Sequence, residues 1–121
     1  MESKDAVNAL AALAQETRLA IFRLLVQAGP EGLAAGAIAE QLAVSPATLS
    51  FHLKELARAG LVTPRNSARF IYYSAQFERM AALMTYLTHH CCQGMPGECL
   101  STVETALAAC CPPRPLAKET T

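Results

Sequence analysis

The sequence predicts a mainly α-helical fold in which a helix-turn-helix is followed by one β-hairpin. Three observations carry that expectation. The 121 residues are rich in Ala and Leu, poor in aromatics and without Trp, a composition of helix formers. The stretch from Ala35 to Gly60 reads as two short helices joined by a tight turn, with Ser45 as an N-cap and Pro46 at the first helical position, where a missing N–H costs nothing. Beyond Gly60 the residues change to β-formers, Leu61-Val62-Thr63 and Phe70-Ile71-Tyr72-Tyr73, with Asn66-Ser67-Ala68 between them.

The elements follow in order. Asp5 is a candidate cap for a first helix to about Gln15, whose stripe of Val7, Leu10 and Leu13 is lined by Ala11 and Ala14. Small residues admit a close neighbour, either a second subunit or another helix of the same chain. A second helix, Thr17 to Ala28, is apolar on most sides and is expected to be the core helix; Gly29-Pro30 stops it. Its Arg18 and Arg23 read as surface or ion-pair residues. In the third helix Ile38, Ala39 and Leu42 share a face, and in the fourth Leu49, Leu53 and Leu56 repeat at the spacing of one buried stripe. His52 lies beside that stripe and is expected to pack or bond locally. Pro64 marks the first hairpin strand as an edge. A last helix runs from about Gln76 to His90, with Phe77, Met80, Ala81, Met84 and Leu87 as its apolar stripe, read as dimer interface together with the first helix.

The face of the fourth helix opposite its leucines carries Ala47, Thr48, Ser50, Phe51 and Lys54. Small hydroxyls, an exposed ring and a cation suit a helix that enters a DNA major groove, with Ser45 at its start. The alternative is an ordinary helical hairpin with a solvated face. The hairpin that follows favours DNA, because a cationic hairpin behind a helix-turn-helix is a wing, and Arg65, Asn66 and Arg69 are placed at its tip. Formal net charge is +0, so any basic face is local: between Ser45 and Ala75, Lys54, Arg58, Arg65 and Arg69 stand against Glu55 alone. The start, Met1-Glu2-Ser3-Lys4-Asp5, is polar, and no apolar run is long enough for a bilayer, so a cytoplasmic protein without membrane association is expected.

All 5 cysteines fall in the C-terminal stretch: Cys91, Cys92, Cys99, Cys110 and Cys111. In a reducing compartment they are expected as thiols. Neighbouring helical residues point about 100° apart, so Cys91 and Cys92 meet at one ion only if the helix stops there. Gly94, Pro96 and Gly97 supply a stop and let the chain return to bring Cys99 over the pair. Three thiolates suit a soft pyramidal ion, As(III) or Sb(III). Zinc prefers four ligands and would need His89, His90 or a later cysteine. Cys110 and Cys111 follow a segment that opens with a capping-box spacing, Ser101 to Glu104, and are read either as incidental thiols or as further ligands.

Leu10-Ala-Ala-Leu13, Glu16-Thr-Arg-Leu-Ala-Ile-Phe-Arg-Leu-Leu25 and above all Ser45-Pro-Ala-Thr-Leu-Ser-Phe-His-Leu-Lys-Glu-Leu-Ala-Arg-Ala-Gly-Leu-Val62 resemble the ArsR/SmtB family of winged-helix repressors over about Ala6 to Leu87. The resemblance implies a homodimer that holds double-stranded operator DNA when metal-free and leaves it when an inducer binds. Two sensor arrangements of that family are not matched: the first helix of the helix-turn-helix has no cysteine, and the last helix begins Phe77-Glu78-Arg79-Met80 without His. A third, in some arsenic-responsive members, has a Cys-Cys pair ending the last helix and one cysteine beyond, and Cys91, Cys92 and Cys99 resemble it. The wing lacks the glycine common at the family's tip.

The expected organisation is therefore a dimeric winged helix-turn-helix over 1–92, with N- and C-terminal helices forming the interface, and a cysteine-containing tail over 93–121. The expected function is a non-enzymatic repressor with As(III) or Sb(III) as inducer and no organic cofactor. Two alternatives stand beside it. One is the same fold answering to Cd, Pb, Zn or thiol oxidation. The other is a thiol metal carrier or oxidoreductase without DNA, against which the missing Cys-x-x-Cys counts.

Overall fold

A computed structural model describes residues 1–89, of which Met1–Leu87 pack as one unit. Its elements run α1 (Ser3–Leu13), α2 (Glu16–Ala28), β1 (Leu33–Ala34), α3 (Ala35–Leu42), α4 (Pro46–Arg58), β2 (Val62–Ser67), β3 (Phe70–Ala75) and α5 (Phe77–Thr88). This is the winged helix-turn-helix arrangement expected.

Helix α1 starts earlier than expected. Glu2 is the N-cap, and Asp5 is the N3 residue whose Oδ2 accepts the Glu2 N–H at 3.3 Å. Its inward face is also corrected. Ala6, Ala9 and Ala12 are buried, whereas Val7 and Leu10 are exposed. Alanines let α1 lie close against α2 and α4, and the larger residues are left on the other side. Helix α2 buries Ile21, Phe22 and Leu25 and packs Leu24 and Val26 against them, as expected of the core helix, and leaves Leu19 exposed. Gly29, at φ 83°, closes it by donating to Leu25 and Val26.

Strand β1 was not expected. It has two residues, too few to show alternation, and pairs antiparallel with Tyr73 and Tyr72 of β3. The chain reaches it through Gly32, at φ 73°, where a Cβ would run into the Tyr73 carbonyl oxygen. The strand order is β1-β3-β2, which places Pro64 on an edge strand as expected.

The two central helices match the sequence pattern. Ile38 of α3 is fully buried, with Ala39 and Leu42 packed beside it; Leu49, Leu53 and Leu56 of α4 are buried. Between the helices Ala43 takes the left-handed conformation at φ 54°, and the Val44 N–H donates back to the Ala39 carbonyl at 3.0 Å. The core centres on Ile21, Leu25, Ile38, Leu53, Leu56 and Leu61.

The wing turn is tighter than expected. Register runs from Val62↔Ala75 to Ser67↔Phe70, so the turn is Ala68-Arg69, with Ala68 at φ 55°. Arg65, Asn66 and Ser67 are strand residues, not loop. In α5 the expected single stripe divides. Leu83 is buried and Phe77 and Met80 pack on the core, while Ala81, Met84 and Leu87 are exposed.

Candidate nucleic-acid interface

Helix α4 begins at a side-chain cap. The Ser45 Oγ accepts the Thr48 N–H at 3.3 Å and donates to Thr48 Oγ1 at 2.9 Å. Ser45 is therefore partly committed to starting the helix. From that start the outer face presents Ala47, Thr48, Ser50, Phe51 and Lys54, every one exposed. The structure brings these sequence-predicted residues onto one surface, because they alternate with the inward set Leu49, His52, Leu53 and Leu56. At the far end Arg58 pairs with Glu55 at 3.1 Å and is not a free cation.

What holds α4 in place includes a contact that sequence reasoning missed. Arg18 Nε donates to the Ala12 carbonyl at 2.7 Å, and Arg18 Nη1 lies 3.2 Å from Nδ1 of His52. A guanidinium only donates, so Nδ1 accepts and the ring proton sits on Nε2. Arg18 thus ties α2 to the end of α1 and to the inner face of α4. His52, 8% exposed, packs inside as expected, and its hydrogen bond reaches across 34 residues rather than to a near neighbour. A cation within the apolar pattern of α2 was the only signal, and it names no partner. The Phe51 ring meets His52 edge-on, with centroids 5.4 Å apart at 62°.

The wing separates its two arginines. Arg69 is in the turn and exposed. Arg65 sits opposite Tyr72, its guanidinium 5.0 Å from that ring, and its Nη2 donates to the Glu31 carbonyl at 3.2 Å. Arg65 is exposed but braced across the sheet, so only Arg69 projects from the tip as expected.

The expected thiol ligands Cys91, Cys92 and Cys99, with Cys110 and Cys111, lie outside the described residues. Among the described residues no group of three or more His, Cys, Asp or Glu side chains is placed to hold a metal. No described helix is long and apolar enough to cross a membrane.

Residues 13–65, from the end of α1 into β2, match the family described as a helix-turn-helix domain. The transcriptional activator HlyU of Vibrio cholerae is 34% identical over 91 residues, which are 75% of this chain and 82% of HlyU. A solved structure of that protein, described as reduced HlyU, covers 74% of this chain and 92% of its own with a TM-score of 0.58. A solution structure from Mycobacterium bovis, described as the homodimeric winged helix-turn-helix DNA-binding domain of a possible ArsR-family regulator, is 31% identical, with TM-score 0.58 over 73% of this chain and 86% of that one. The chain belongs to the ArsR family of transcriptional regulators. A further solved structure, described as a possible transcriptional regulator for arsenical resistance, is 31% identical with TM-score 0.59, covering 66% of this chain and 80% of that one.

As an ArsR-family protein this is a DNA-binding transcriptional regulator. The family places the α4 surface in context: a helix with a capped N-terminus, a polar and partly apolar outer face and a braced inner face, followed by a wing.

Proposed function

We propose that this ArsR-family regulator is a homodimeric repressor, released from operator DNA when As(III) or Sb(III) is held by the thiolates of Cys91, Cys92 and Cys99. The observation that carries the reading is the placement of every cysteine beyond residue 90, beginning three residues after α5 ends. A soft three-coordinate ion fits three thiolates without a fourth ligand. The similarity to a protein described as a possible transcriptional regulator for arsenical resistance supports the same signal.

Exposed Val7 and Leu10 on α1 and exposed Ala81, Met84 and Leu87 on α5 support a dimer built on these two helices, since apolar side chains left out of the protomer core mark association surfaces. In a two-fold dimer two copies of α4 address the two halves of a palindrome. Ser45, Ala47, Thr48, Ser50 and Phe51 supply the groove contacts, and Lys54 with Arg69 and Arg65 of the wing the phosphate contacts. Because α5 is both interface and neighbour of the thiols in sequence, an ion that favours one arrangement of α5 biases the spacing of the two α4 helices. The affinity lost for DNA equals the ion's preference for the non-binding dimer.

The test is a mobility-shift titration of reduced protein on its promoter, with arsenite, antimonite, Cd, Pb and Zn in parallel. Arsenite is expected to release the DNA. Cys91→Ser, Cys92→Ser and Cys99→Ser are each expected to bind DNA as before and to ignore arsenite. A triple serine variant that still responds overturns the site.

A second reading has one observation in its favour: a relative whose structure is described as the reduced form. In it the same thiols respond to oxidation. Anaerobic protein that releases DNA on a disulfide-forming oxidant and not on arsenite would select this reading.

A further inference from the structure

We infer that Phe51 is a specificity residue that reads thymine, covering the C5-methyl group at one defined position of each operator half-site. The inference rests on the reading of α4 as the helix that enters the operator.

A recognition helix meets base edges mainly with its N-terminal turns. In the first two turns Leu49 and His52 face the core, which leaves Pro46, Ala47, Thr48, Ser50 and Phe51 outside. None is Arg, Lys, Asn or Gln, the side chains that read guanine or adenine through paired hydrogen bonds. Ser and Thr hydroxyls bond to either partner and discriminate weakly, and the Ser45 and Thr48 hydroxyls are already joined to each other at 2.9 Å. Lys54 lies a further turn along, where its point charge suits a phosphate.

Phe51 is the one large side chain left, 56% exposed on an otherwise small and polar surface. Ala47 stands one turn before it on the same side, so the two form a short apolar strip. The base feature in the major groove that an apolar strip can recognise is the thymine methyl. The ring is also steadied for this task. It meets His52 edge-on at 5.4 Å, and His52 is held from behind by Arg18 at 3.2 Å.

The experiment uses full-length reduced protein and begins with selection of binding sites from random duplexes. One thymine per half-site is expected to be strongly preferred. Replacing that thymine by deoxyuridine removes only the methyl and should weaken wild-type binding about fourfold per half-site, roughly fifteenfold when both are replaced, the scale of burying one methyl at each. Phe51→Ala should bind the thymine operator with a loss of at least that size and bind the two operators equally. Wild-type protein that holds the deoxyuridine operator as tightly as the thymine one overturns the inference, without any variant having to fold. So does a Phe51→Ala variant that still distinguishes them. If selection yields no preferred sequence, the reading of α4 as the operator-reading helix fails, and this inference with it. A selected site that is indifferent to the methyl overturns this inference alone.

Discussion

Arg18→Ala tests the brace behind α4. The substitution removes two interactions: the 2.7 Å bond to the Ala12 carbonyl and the 3.2 Å bond to His52 Nδ1. The two are unequal. The Ala12 carbonyl is one of the last in α1 and lacks an intrahelical partner, but at a helix end water can replace the guanidinium, so its loss costs about 0.5–1 kcal/mol. Nδ1 of His52 belongs to a side chain 8% exposed and loses a charge-assisted donor. Leaving such an acceptor bare costs about 1.5–2 kcal/mol. The expected total is about 2–3 kcal/mol, measured by urea unfolding at one fixed protomer concentration, since association also adds to apparent stability. A double-mutant cycle with His52→Ala separates the shared part, expected at about 1–2 kcal/mol of coupling. Arg18→Lys should recover less than half of the loss, because one ammonium does not reproduce a fork that donates in two directions. A loss under about 0.5 kcal/mol for Arg18→Ala, or coupling near zero, would refute the claim that this arginine positions α4.

Three further outcomes are expected. Leu87→Glu, at a position 58% exposed in the protomer, should shift sedimentation velocity towards monomer, lower operator affinity, and lower the urea midpoint only by the part that association contributes, so that the midpoint no longer depends on protein concentration. Gly32→Ala should destabilise by more than about 2 kcal/mol in chemical denaturation, since it meets both a positive φ of 73° and the Tyr73 backbone. Lys54→Ala should weaken binding evenly across operator sequences and lower the slope of log affinity against log salt by about one per protomer; a change confined to one base position would show a base contact instead.

Much of the fold was legible because its signals are local. Ser45-Pro46 starts α4 through a hydroxyl three residues from the N–H it accepts. Gly29 ends α2 through its own backbone. The leucines of α4 reveal their buried side by spacing alone, and the groove face is what remains. Where the fold departs from the local pattern, the deciding partner is distant. Strand β1 exists because Leu33 and Ala34 find Tyr73 and Tyr72, and two residues carry no period of their own. Helix α1 offers both an alanine face and a Val7–Leu10 face, and only the fit to α2 and α4 selects alanine. Arg65 left the expected wing tip because β2 pairs as far as Ser67, and the ring of Tyr72 with the Glu31 carbonyl then lie within its reach.

The amino-acid order by itself determined which segments are helical, where they stop, that a hairpin follows the helix-turn-helix, and which side of α4 faces outward. Those properties depend on caps, turn residues and periodicity over a few positions, where chain entropy charges little for closing a contact. Tertiary structure alone decided which of two plausible faces of α1 is buried, which arginine is free at the wing, and that Arg18 grips His52. These choices compare packings between segments remote along the chain, and their relative energies exist only once the segments have been brought together.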